Sequence, residues 1–347
     1  MLPDRAAIDP ATGWSVWGQA NAVRELQRAV VTSPSHAYLL IGRAKSGRRA
    51  AALQFAASLC CLQPPQPGRS CGECSDCRRI ARGTFPDVTV VDLAVQAARD
   101  REKTRNQSLN IATVREVGAG IAYRPSEARW RIVIVDDAET MQEPAQEAFL
   151  KTLEEPPPFA IIMLLATDAD RLLDTIRSRC TEVRFGRTPD SAVAAALEAT
   201  GVDETAVARI VPYAQGSIGW AFEAARDLDL VTARHERHDE AINMVTSTPY
   251  DRLVRAVHLA DAWSSDRGTV GMDLDSLLAV WRDLLHERLG LAPAHGGADC
   301  QLPVAQITAA IASVEQCRRS LEANVRPRLA METMVADWPA VTLTPNP

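Results

Sequence analysis

The residues able to do chemistry fall in three clusters. Four of the eight cysteines lie between Cys61 and Cys77. Cys61 is followed after nine residues by Cys71, and Cys71, Cys74 and Cys77 are separated by two residues each. Four thiolates so spaced can close a tetrahedral zinc site with no open position, hence a structural one. Cys60 competes as first ligand, and Cys61 is preferred because it lies one residue nearer the loop. The run also suits an iron–sulfur cluster, but the closely following fourth Cys-Pro is missing. Without a metal the four would be free, buried thiols.

The second cluster begins at Ile41 to Arg49, I-G-R-A-K-S-G-R-R. Gly42 and Gly47 stand at the spacing of G-x-x-x-x-G-K-[ST], the loop whose backbone N–H groups and following helix cradle phosphates. Arg48 occupies the place of the phosphate-binding lysine, and its planar fork is a poor substitute for a compact ammonium. Arg49 replaces the Ser/Thr whose hydroxyl would ligate magnesium, and nothing at that position can bind a cation. Asp136 and Asp137 close an apolar strand where a magnesium-binding carboxylate and a water-activating Glu would sit. The second is an Asp here, with Glu139 two places on. The same pair can equally be read as caps of the helix that follows. In the third cluster, Ser178-Arg179-Cys180 marks a helix-to-strand corner. An arginine offered to a neighbouring subunit's nucleotide neutralises charge developing on the γ-phosphate. On the residues alone, a solvated corner arginine is favoured.

These clusters need a sheet to hold them. Apolar runs at 36–41, 88–93, 131–135, 161–165 and 181–185 read as strands. They alternate with helical patterns at 19–32, 50–61, 111–122, from Glu143 to the Pro156-Pro157-Pro158 stop, and a short stretch to Ser178. Such alternation predicts a parallel sheet covered on both faces. The polar stretch Gln96 to Asn110 reads as an exposed connection. Beyond Thr188 the strand signal ends, and 191–200, 205–214 and 216–226 read as short helices. Longer helices follow, at about 274–289, 304–324 and 327–338, with a disordered tail at 339–347.

The chain's 347 residues suffice for two or three domains. Its hydrophobic content of 46% and charged content of 24% are those of a soluble globular protein. A net charge of −6 argues against a generally basic nucleic-acid binder. The polar N-terminus lacks a signal-peptide core, and the apolar run Phe159 to Ala166 is too short to span a bilayer, so a cytoplasmic protein is expected. His235 and His238 lie on a charged face and read as solvated. The seven tryptophans are too scattered for a base-stacking platform.

Together these stretches resemble the bacterial DNA polymerase III clamp-loader subunits, of the AAA+ class. The resemblance rests on Gly18-Gln19, His36-Ala37-Tyr38-Leu39-Leu40, the four-cysteine insert, Leu153-Glu154-Glu155-Pro156-Pro157 and the Ser178-Arg179-Cys180 corner. It continues in Gly216-Ser217 and in Asn324 to Glu332, and so covers nearly the whole chain in order. It implies an α/β AAA+ P-loop-type domain with a zinc insert (1–187), a small helical lid (188–226) and an all-α collar (227–338). The hydrolysing gamma/tau subunits of this family keep G-K-[ST] and an arginine after G-S-x in the lid helix. Here Arg48 and Arg49 close the loop, and Gly219 follows Gly216-Ser217-Ile218. The pattern is similar to that of delta-prime subunits, which keep the fold and the corner but not the ATPase.

The resemblance implies a hetero-pentamer with gamma/tau and delta subunits, acting on the sliding clamp and primed DNA, with no membrane association. Arg179 would face a neighbour's ATP. Zinc would be structural, hydrolysis of ATP by this chain is not expected, and Asp136 and Asp137 would be remnants. Two other readings stay open: a hydrolysing gamma/tau-like ATPase using Arg48 as phosphate cation, and a zinc module that reads nucleic acid.

Overall fold

The structure, a computed structural model, describes residues 7–100, 108–291, 298–299, 301–323, 325–342 and 344–345. Two compact units divide the chain, Met1–Ala225 and Arg226–Pro347.

The first unit is organised on five parallel strands, β1 (Ala37–Gly42), β2 (Val88–Val91), β3 (Arg131–Val135), β4 (Ala160–Ala166) and β5 (Thr181–Phe185), in the order β2-β3-β4-β1-β5. β3 and β4 are apolar on both sides because both faces are covered, and every residue of β4 is buried. Alternation sorts their side chains into two cores. Tyr38, Leu40, Ile132, Ile134, Ile161, Met163 and Leu165 share one core with α1 (Ala20–Val31) and α2 (Arg48–Cys60). Leu39, Val133, Val135, Ile162 and Leu164 face the other way. They meet the four-spaced stripes of α5 (Ile111–Ile121) and α6 (Glu143–Glu154), where Ala145, Phe149 and Leu153 are each 1% exposed. A tight corner, α7 (Asp174–Arg177), leads into β5, and α8 (Asp190–Ala199), α9 (Glu204–Ala214) and α10 (Ile218–Arg226) follow.

Two sequence expectations about this unit need correction, and the insert adds an element of its own. α2 begins at Arg48, not Ala50, capped by Gly47 at φ +98°, so both arginines sit in its first turn. The cysteine insert contains a helix, α3 (Ser75–Ala81), whose Cys77 and Ile80 enter the first core. The segment Gln96 to Asn110 is not simply an exposed connection: α4 (Leu93–Asp100) occupies its start, and Gln96 is 1% exposed. The Gln96 amide donates to the Ser108 carbonyl and accepts from the Asn110 N–H, and the Thr113 hydroxyl donates to it. A polar residue so satisfied is buried at little cost. Residues 101–107, the rest of that charged stretch, lie outside the described residues.

The second unit is helical: α11 (Asp229–Thr246), α12 (Pro249–Trp263), α13 (Arg267–Arg288), α14 (Val304–Glu322) and α15 (Pro327–Ala336). Trp281 and Trp338 meet edge to face at 5.4 Å in its core. Arg252, 1% exposed, donates to the Val245 and Trp338 carbonyls at 2.6 and 3.0 Å and so anchors the chain end. The tail is more ordered than its sequence suggests: Val341 is buried in this core, and Thr344–Pro345 pairs antiparallel with Ala298–Asp299. Among the described residues no helix is long and apolar enough to cross a membrane.

Candidate functional site: a phosphate-loop frame, a cysteine cluster and a corner arginine

Strand register places the loop and the carboxylates together. Ile41 pairs with Ala166, Leu164 with Val135, and Val135 with Val91, so the strands end along one edge. Gly42, the last residue of β1, and Thr167, Asp136 and Asp92, just beyond the other strand ends, line the edge where open α/β sheets bind ligands. Gly42 has no room for a side chain, since a Cβ there would meet Phe185 at 2.7 Å. Lys45 and Gly47 adopt positive φ to turn the loop into α2.

The occupants of this edge differ from those of a metal–nucleotide site. Arg49 Nη1 lies 2.6 Å from Asp92 Oδ2 and 3.3 Å from Asp136 Oδ2. Asp92 also accepts the Val95 N–H at 2.7 Å as the cap of α4. Burial would raise the Asp92 carboxyl, but that N–H and the Arg49 guanidinium outweigh it and hold it low. Burial lowers Arg48 despite Asp136, Glu139 and Asp137 nearby, and its Nη1 has no hydrogen-bond partner. Asp137, at φ +55°, is pushed up to about 6 by burial and then by Asp136, Glu139 and Asp92. The Thr167 hydroxyl donates to Glu139. Asp137 makes no side-chain cap, so helix capping does not explain the pair. A magnesium–nucleotide does not fit these residues, because the side chain reaching Asp136 from α2 is a cation and not a hydroxyl.

Asp92 was not among the sequence candidates, although a carboxylate directly after an apolar strand is the same signal that marked Asp136. Lys45 and Glu223 were also missed. Lys45 pairs with Glu223 of α10, and its carbonyl accepts the Gly219 N–H at 2.9 Å.

In the insert, the four sulfurs of Cys61, Cys71, Cys74 and Cys77 lie within 4.8 Å of one another. Cys71 and Cys77 Sγ are 4.0 Å apart. Zinc–sulfur bonds of about 2.3 Å in a tetrahedron set sulfurs about 3.8 Å apart, so the cluster can hold a metal ion of that size. Amides of Cys71, Cys74 and Cys77 donate to Sγ of Cys61, Cys71 and Cys74 at 3.2, 3.3 and 3.5 Å. Burial would raise the Cys74 thiol, but such donors outweigh it and bring it to about 7. Burial raises Cys61 and Cys77, and a bound cation would draw those protons off. Cys60 packs in the sheet core instead, its thiol pushed to about 12 by burial.

At the corner, Arg179 donates to the Thr175 carbonyl at 2.7 Å and to Glu154 Oε1 at 2.8 Å, with its side chain 34% exposed. Its neighbours serve the corner. The Ser178 hydroxyl donates to the Thr175 carbonyl, and Cys180 packs against the second core. Arg177 is held locally by Asp170, Asp174 and Glu182, and Arg179, like it half-buried, is held by Thr175 and Glu154.

Comparison with known proteins places this geometry. The family described as DNA polymerase III, delta subunit, matches residues 18–189. The chain is 36% identical over 148 residues to DNA polymerase III subunit delta' of Pseudomonas aeruginosa, covering 43% of this chain and 42% of that protein. It is 26% identical over 260 residues to subunit delta' of Bacillus subtilis, covering 74% and 73% respectively. Against subunit tau of Escherichia coli it is 26% identical over 329 residues, 92% of this chain and 48% of that one. A DNA polymerase III gamma-subunit-related protein of Thermotoga maritima superposes with TM-score 0.44 at 18% identity, over 91% of this chain and 97% of that one. The aligned chain spans less than half the length of the first curated relatives it matches. Across the sheet and its insert the family match and the curated relatives agree, and residues 18–189 are similar to the DNA polymerase III clamp-loader subunits.

Proposed function

We propose that this chain is a non-hydrolysing, delta-prime-like subunit of a DNA polymerase III clamp loader. Its part is to present Arg179 to the ATP site of a neighbouring gamma/tau subunit. The observation that carries the reading is the pair Arg48-Arg49 in the first turn of α2, where a hydrolysing relative needs a lysine and a hydroxyl. Gly219 stands where the lid helix of such relatives carries an arginine. The relatives named delta' support the same assignment.

In this reading the four-cysteine cluster holds a structural zinc, which pins α3 to the end of α2. Residues 188–226 act as the lid and 227–338 as the collar of a hetero-pentamer containing delta, the sliding clamp and primed DNA being reached through that complex. Arg179 would leave Glu154 for the more highly charged γ-phosphate of the neighbour, an exchange favoured by charge and by the exposure of the present pair. The test is reconstitution with gamma/tau and delta. Arg179→Ala should slow DNA-stimulated ATP turnover by about 2 kcal/mol or more in barrier, roughly thirty-fold. Unchanged turnover removes Arg179 from the mechanism. Hydrolysis by the purified chain alone, abolished by Asp136→Ala, would instead make it a gamma/tau-like ATPase.

A further inference from the structure

We infer that Arg49 is a tethered substitute for the divalent cation of a nucleotide site, and that Lys45, Gly219 and Glu223 tie the loop directly to α10. The guanidinium is built into the chain, so the arrangement is independent of magnesium and nucleotide.

Charge placement is the first argument. The first turn of α2 carries two arginines and no acid. Cations at a helix N-terminus oppose its dipole, so something must compensate. The compensation comes from the strand ends. One nitrogen of Arg49 reaches a carboxylate beyond β2 and another beyond β3, at 2.6 and 3.3 Å. Through Asp136 this cation joins α2 to the end of β3, the two elements that a metal held by the loop hydroxyl and that carboxylate would join, and it adds Asp92 beyond β2; unlike a metal it cannot dissociate. It also places a donor-only group where a metal would need open positions for water and phosphate oxygen.

The tie to α10 is the second argument. The Gly219 N–H donates to the Lys45 carbonyl at 2.9 Å, and Lys45 pairs with Glu223 one turn further along that helix. A Cβ on residue 219 would stand 2.9 Å from Lys45 Cβ and 3.0 Å from its carbonyl oxygen. Glycine is therefore required there by close backbone approach, and no side chain can project from 219 without moving the loop. In a nucleotide-dependent unit, contacts to the phosphates would set this distance. Here backbone and side chains set it.

The inference extends the proposed non-hydrolysing role and can fail without it. The probe is mant-ADP, added to the full chain with and without millimolar magnesium in buffer free of chelators. Wild type and Arg48→Lys should show no magnesium-dependent binding, because both retain Arg49. The double variant Arg48→Lys/Arg49→Thr should bind, at least tenfold more tightly with magnesium than without. Magnesium-dependent binding by wild type or Arg48→Lys overturns the inference, and if that nucleotide is bound but not cleaved the non-hydrolysing role survives. A folded double variant that does not bind also overturns it. Arg49→Gln gives an independent readout, since it leaves Asp92 and Asp136 without their cation. Its melting temperature should rise by about 2–4 °C with magnesium while that of wild type stays constant. A folded Arg49→Gln that ignores magnesium counts against the tethered cation.

Discussion

The cysteine insert and the strand-end edge are both built to gather negative charge, and they neutralise it by opposite means. In the insert, four sulfurs converge within 4.8 Å and three of them accept backbone N–H groups. Such a group can hold an external ion. At the strand ends Arg49 already lies against Asp92 and Asp136, and Arg48 is buried beside Asp137 and Glu139. One centre holds a full ligand set for a metal ion, whereas the other pairs its carboxylates with an arginine of the chain. Local charge density alone therefore does not mark a metal site. What distinguishes the two is whether the chain supplies its own cation.

The largest expected effect tests the metal side of this contrast. Cys77→Ser should lower zinc content from about one per chain to near none. It should destabilise the first unit by on the order of 4 kcal/mol, read by metal analysis and thermal melts. Wild type purified without zinc under reducing, chelator-free conditions would collapse the contrast. A smaller loss, about 2 kcal/mol, is expected for Asp92→Ala, which removes both the α4 cap and the shorter Arg49 pair. That loss should not change with added magnesium.

The smallest effect concerns the charge that the arginines leave over. Asp137 sits at about 6 in the folded chain against an ordinary 3.8. Between about pH 4 and 6 the folded chain thus holds a proton that the unfolded chain has released, and stability falls as pH rises through that window. Asp137→Asn removes this loss and retains a residue that tolerates positive φ. It should gain about 1 kcal/mol near pH 7, the shift being discounted for partial exposure, and gain nothing near pH 4. Asp92 runs in the opposite sense, its stabilisation being lost as pH falls, and it cancels in the comparison of wild type with Asp137→Asn. An equal gain at both pH values would show that Asp137 carries no unfavourable charge.

The sheet was legible because its strands are apolar runs, and the stripe Ala145, Phe149, Leu153 announced the buried face of α6. Other features were not. The start of α2 was misplaced because two arginines are unfavourable at a helix N-terminus, and only the facing carboxylates make the position acceptable. Gln96 read as exposed because its polarity is satisfied by groups 12 to 17 residues away.

Sequence by itself determined which ligands exist: four sulfurs within a short insert, two glycines framing a loop, an arginine in a Ser-Arg-Cys corner. Those features are local, so spacing carries them. Only the tertiary structure decided what each group faces. Arg49 meets Asp92 across 43 residues and Asp136 across 87, and Lys45 meets Glu223 across 178. Electrostatic pairing is settled over a few ångströms, and strand register, not distance along the chain, brings those groups within reach.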